Sequence, residues 1–257
     1  MKNQLFKLPI VLFILVIFIS GCDKLFSEVK AIEENQKGID ALNEGNSEQS
    51  LIHFHAAADL NPEDPETKST IYRNIALAHV DLTNDDSAVY YHKMAANCYE
   101  RGDYYYLLNM ADADLYSENI GGALSRLLKA NAINPNDVGS NNSLGLIYLG
   151  EYDYKYYDLD KALKYNKKAF DLNEDRITEQ VLAQTYIAMG NHNKALFHLE
   201  HVYNEYPGIL DDLLELAKAE ILYETDADLN LTFQLIEELD ASKKEQIEEL
   251  KNSINTP

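Results

Sequence analysis

The sequence predicts an all-α chain, an α-solenoid of about six helix-turn-helix units closed by a C-terminal capping helix. Three observations carry this. Small side chains alternate with bulky ones at helical spacings in units of 34 residues, most plainly over Arg176–Ile209. Breakers such as Gly190-Asn191, Asn61-Pro62 and Asn134-Pro135 fall between the periodic segments. Only 11 Gly and 6 Pro are spread over 257 residues, too few for a turn-rich β fold.

In Arg176–Ile209, Glu179, Leu182, Ala183 and Tyr186 recur at spacings of three and four and so share one helix face. Gly190-Asn191 leaves the right-handed helical region readily and ends the helix. A second helix then presents Ala195, Leu199 and Val202 before Pro207 stops it. Ala183 and Ala195 are small where two helices must cross closely; Tyr186 and Leu199 are bulky where the wedge between them opens. This unit resembles a tetratricopeptide repeat. The resemblance implies stacked helix pairs whose first helices line a concave groove. It covers about Ala31 to Asp240, and because the family serves as an interaction scaffold in unrelated processes, it leaves the partner open.

In chain order, Met1 to Gly21 reads as a targeting segment, with Lys2 and Lys7 ahead of an apolar run from Leu8 to Ile19. That run is about a dozen residues, short of the roughly 20 a spanning helix needs. Ile19-Ser20-Gly21-Cys22 resembles the lipobox of bacterial lipoproteins. The resemblance implies cleavage before Cys22, acylation of that residue and anchoring of the mature chain to a membrane of the cell envelope. Residues 22–30 are then expected to form a lipidated tether. With Cys22 acylated, Cys98 would be the one remaining thiol, expected late in a helix among Met94, Ala95 and Ala96.

The solenoid is expected over 31–240. The first unit places Gly38 where the template has Ala183, Phe54 for Leu199 and Ser50 for Ala195. The second has Ala76, Ala88 and Ala95, with a glycine-free turn at Thr83-Asn84-Asp85, and the third has Ala111, Ala123 and Ala130. The fourth, with Leu144, Gly145 and Tyr148, carries about five extra residues before Ala162, Asn166 and Ala169 restore the pattern. A sixth, degenerate unit starts near Leu210 with Leu213, Leu216 and Ala217. Residues 241–257 hold an amphipathic helix and tail, the helix being suited to cap the stack.

Charge narrows the partners. Lys and Arg number 22 against 43 Asp and Glu, a net charge of −21, which repels phosphate backbones and anionic headgroups and argues against nucleic acid. By register within the resemblance, the groove would be lined by Asn35, Ile39 and Leu42, then by Arg73, Leu77 and Val80. Leu108, Asp112 and Leu115 follow, then Asn142, Leu146 and Leu149, and last Gln180, Gln184 and Ile187. This largely aliphatic surface suits an apolar helix or extended segment of another envelope protein or peptide. The face lacks the Lys-and-Asn pairs of a carboxylate clamp. The insertion Glu151–Asp158 crowds Tyr152, Tyr154, Tyr156 and Tyr157 into one turn. Tyrosines are enriched in binding surfaces, so the loop is a candidate contact for protein, or for glycan in an alternative, cell-wall-binding reading; the competing reading is a longer inter-helix turn whose rings fold back on the adjacent helices.

No phosphate-cradling glycine loop, nucleophile elbow or zinc-protease helix occurs, so no catalytic residue, cofactor or metal is assigned and the chain is not read as an enzyme. His198 and His201, three apart on one helix with His192 nearby, are the closest approach to a metal set, but surface histidines of this kind are common. His79 and His92 fall at core-facing places.

Overall fold

A computed structural model describes residues 7–214 and 229–254, with side chains from residue 24 to residue 252. Among the described residues it is helical throughout, without strands. In chain order the helices are α1 (Lys7–Asn43), α2 (Ser47–Asp59), α3 (Pro65–Asp81), α4 (Asp85–Ala96), α5 (Tyr104–Tyr116) and α6 (Ile120–Ile133). They continue as α7 (Val138–Leu149), α8 (Leu159–Leu172), α9 (Arg176–Ala188), α10 (His192–Glu205), α11 (Leu229–Leu239) and α12 (Lys244–Ile254). Consecutive helices pack as antiparallel pairs of the predicted kind, α1 on α2, α3 on α4, α7 on α8 and α9 on α10. The chain divides into two compact units, residues 1–130 and 131–257.

Local chemistry sets the helix starts. Asn46, Asp64, Asn84, Asp103, Asp137, Asp158, Asp175 and Asn191 each accept a hydrogen bond from a backbone N–H of the first turn that follows. An N-terminal turn has unpaired N–H groups and the positive end of the helix dipole, so a short acid or amide satisfies both. Part of the chain's acidity is used in this way.

The turn inside each pair needs one left-handed residue. Gly45, Thr83, Glu118 and Gly190 occupy the same register position and have φ of 75°, 54°, 58° and 65°. Glycine adopts this region without penalty, whereas β-branched Thr83 is strained there. In the fourth unit the left-handed residue, Gly150, comes two residues earlier in register, and the insertion follows it.

One pair of positions decides how closely the helices of a pair approach. The second helix offers Phe54, His92, Leu127, Asn166 and Leu199 in register, each at most 2% exposed. The first helix opposes them with Gly38, Ala76, Ala111, Gly145 and Ala183. A Cβ at Gly38 would lie 2.4 Å from the Phe54 ring, and one at Gly145 only 1.6 Å from Asn166 Oδ1. Asn166 is fully buried and its Nδ2 donates to Thr185 Oγ1 across 2.8 Å. The change Gly145→Ala is therefore expected to expel Asn166 and break that bond. Overpacking costs about 1–3 kcal/mol and a stranded buried partner about as much again. A urea midpoint unchanged from wild type would refute this contact.

The helices place several of the expected segments. Residues 22–30, read from the sequence as a lipidated tether, lie within the unbroken α1, which leaves that reading open. Cys98 lies beyond the end of α4, in the following turn, with its Sγ 3.5 Å from Met94 O. Residues 241–257, expected to hold a capping helix and tail, begin with a 3-10 turn, Ala241–Lys243, that leads into α12. Leu216 and Ala217 fall outside the described residues, as does the side chain of Cys22. Among the described residues no helix is long and apolar enough to cross a membrane.

Candidate functional site

In the first unit α1 touches α3, with Asn74 Nδ2 on α3 donating to Asn35 Oδ1 on α1 at 2.9 Å. The first helices of neighbouring pairs thus lie side by side. In the second unit α7 touches α9 in the same sense. Each unit carries its own set of the candidate residues.

In the first unit the set is uneven. Ile39 and Leu42 are half-buried against the cluster of Ala31, Phe54, Ala57, Ile71, Ile75 and Ala78, and much of their surface is spent there. Arg73 is exposed, and Leu77 one turn later keeps 41% of its surface in solvent. Val80, Leu108 and Leu115 are half-buried. A half-open leucine beside a guanidinium is the feature of this face that a partner could cover.

Beneath it sits a residue whose role sequence reading placed only as core-facing. His92 holds the position of Phe54 and Leu199 but is an imidazole, 2% exposed and stacked on Tyr116 at 5.4 Å. Neither ring nitrogen has a hydrogen-bond partner; the nearest acid is Asp112, with Oδ2 3.8 Å from Nδ1. Burial, reinforced by Arg73, pushes its pKa down to about 4, so the ring is neutral near pH 7. The repeat register could have revealed this, because the series holds Phe54, Leu127 and Leu199, and its other polar member, Asn166, has a hydrogen-bond partner that the imidazole lacks.

In the second unit Asn142, Leu146, Gln180 and Gln184 are half-buried, while Leu149, at 8% exposure, belongs to the interior. Ile187 packs on the cluster of Leu182, Tyr186, Leu199 and Val202. The insertion forms a 3-10 turn at Tyr154–Tyr156. Tyr154 stacks on Tyr157 at 4.6 Å, and both rings lean over Gly150. Tyr154 is still 61% exposed and Tyr152 44%, whereas Tyr156 is half-buried with Lys155 Nζ 5.2 Å from its ring centre. The loop thus has two rings folded on one another at the end of α7 and aromatic surface left open.

The three histidines of α10 do not come together as one set. His192 pairs with Glu238 at 3.0 Å, away from the other two. His198 and His201 instead hold the two oxygens of Glu179, a carboxylate only 5% exposed on α9, with His198 Nδ1 at 2.9 Å. Glu34 and His53 repeat this arrangement in the same register of the first unit, at 2.9 Å. These contacts pin the second helix of a pair to the first. Glu179 raises the pKa of His201 above its ordinary 6.5. The contribution of that contact to stability is complete below this value and fades as pH rises through the raised one. Among the described residues no three His, Cys, Asp or Glu side chains are grouped to hold a metal ion.

No protein-family model matches the chain, and no curated protein sequence does. Solved structures do. The chain is similar to TTC0263, a thermophilic TPR protein of Thermus thermophilus, at 21% identity and a TM-score of 0.57 over 70% of this chain and 94% of that one. It is similar to PilF of Pseudomonas aeruginosa, at 17% identity and a TM-score of 0.56 over 88% and 99% of the two chains. The APC/C hetero-tetramer Cut9-Hcn1 gives 15% identity and a TM-score of 0.63, over 88% of this chain and 43% of the other. The likeness is one of fold, and the chain has the tetratricopeptide-repeat fold.

Proposed function

We propose that this chain is a membrane-anchored scaffold that binds envelope proteins or peptides on the face formed by its first helices. The observation that carries the reading is the open surface of Leu77 beside Arg73 on α3, in a unit whose α1 and α3 lie edge to edge. Aliphatic surface left in water next to a guanidinium is stabilised when an apolar segment covers it and a carbonyl or carboxylate meets the charge. Anchoring rests on the lipobox-like Ile19–Cys22. Several weak contacts along a preformed face, concentrated at a membrane, give useful affinity without a deep pocket.

Leu77→Asp is expected to lower capture of a partner in envelope extracts by about tenfold or more, as loss of an interface anchor does. Its melting temperature should stay near wild type, because the side chain is 41% exposed. The partner is found first by in-cell crosslinking from positions 77, 115 and 146, followed by mass spectrometry. Crosslinks confined to α11 and α12 would place the contact elsewhere and end this reading. Capture lost with Tyr154→Ser but retained with Leu77→Asp would move the site to the insertion, whose open tyrosines also suit a glycan.

A further inference from the structure

The first described stretch of side chains on α1 is inverted. Its polar residues face the protein: Ser27 Oγ donates to Leu60 O at 2.6 Å, Lys24 Nζ meets Glu63 at 2.6 Å, and Glu28 Oε2 accepts from Glu63 N–H at 3.0 Å. Its apolar residues face out, with Leu25 66%, Phe26 64%, Val29 46% and Ile32 53% exposed. A helix that docks on its own domain normally does the reverse. Four large apolar side chains on about two turns of helix make a contiguous patch rather than scattered surface residues, and such a patch marks a contact.

The helix itself indicates what covers the patch. Cys22 belongs to the same unbroken α1 and precedes Leu25, Phe26, Val29 and Ile32 by three, four, seven and ten residues. At 100° per residue these five register positions fall within about 120° of one another, on a single face. Lys30 borders the patch, with its Nζ 5.3 Å from the centre of the Phe26 ring. Apolar side chains bordered by a lysine suit a helix lying in a headgroup layer, where the lysine stem follows the apolar surface and the ammonium group stays wet.

We propose that Leu25, Phe26, Val29 and Ile32 rest in the lipid interface, so that α1 lies along the bilayer surface and fixes how the first unit sits on it. The inference rests on the anchored reading above and deepens it: acylated Cys22 would be the first contact of the same face.

The test uses the mature protein reconstituted in phosphatidylcholine/phosphatidylethanolamine vesicles. In a Cys98→Ser background, Val29→Cys carries an environment-sensitive fluorophore, and Ile52→Cys, on an exposed position of α2, is the control. Position 29 is expected to emit to the blue of position 52 and to lose about half its intensity or more when the lipid carries a nitroxide near the glycerol, as interfacial burial of that face requires. Equal, weak quenching at both positions would overturn the proposal. So would a blue-shifted position 29 that ignores the nitroxide lipid and reddens on dilution, since a second copy would then be the cover. The mass of the N-terminal peptide scores the anchor separately: quenching at position 29 with an unacylated Cys22 would keep the lipid contact and sink the anchored reading.

Discussion

Phe54→Ala is expected to destabilise the first unit by about 3–5 kcal/mol, the range for removing a buried aromatic ring without collapse of the site. Phe54 has no exposed surface, and the cluster around it includes Ile71 and Ile75 from α3, so the cavity would open between two helix pairs. The effect should be strongly coupled to Gly38. In the wild type, Gly38→Ala drives a methyl to 2.4 Å from the ring and is expected to cost about 1–3 kcal/mol. In the Phe54→Ala background the same methyl enters empty space and gains the helix propensity of alanine over glycine, about 1 kcal/mol. Gly38→Ala should therefore change sign. A double-mutant cycle from urea melts would settle it, and additive effects of the two changes would refute the contact.

The second large effect is on acid stability. His92 titrates at about 4 in the folded chain against an ordinary 6.5. Its folded pKa is depressed, so below pH 6.5 the unfolded chain takes up a proton that the folded chain refuses. Stability tied to this residue is fully present above that pH and is lost as pH falls through about 4. A difference of roughly two to three pKa values corresponds to about 3 kcal/mol. The groups that face the ring, Arg73 from α3 and Asp112 and Tyr116 from α5, do not relieve it: the guanidinium opposes a second positive charge and the carboxylate lies beyond hydrogen-bonding distance. His92→Leu, the residue that the third and fifth units carry at this place, should be more stable than wild type. Its advantage should grow by about 3 kcal/mol between pH 7 and pH 4 in urea melts, as proton linkage requires. Parallel pH profiles for the two proteins would show that the ring finds a partner.

Much of the fold was legible because it is written in side-chain volume. Ala183 against Leu199, Ala111 against Leu127 and Gly38 against Phe54 recur at fixed spacing, and volume at a close crossing is a local constraint that a single chain reveals. Breakers located the turns for the same reason, although Thr83 and Glu118 adopt left-handed backbone where the sequence offers no glycine. The candidate face was less legible. Register assigns Ile39, Leu77 and Leu149 alike to the groove, yet the first packs against the core, the second is 41% exposed and the third is 8% exposed. Those differences come from the fit of one pair upon the next, which depends on residues far from each position. The Glu179–His198–His201 contact was hidden for a related reason. Spacing put the two histidines on one face, but only the neighbouring helix supplies the acid that occupies them.

Helix pairs tied by contacts such as His53–Glu34, Asn74–Asn35 and His198–Glu179 join residues only 19 to 39 positions apart. Little loop-closure entropy is spent on partners so near in sequence, and small domains rich in local contacts fold fast. A chain wired in this way can form its hairpins one after another as it emerges from a narrow channel, without waiting for its far end to arrive.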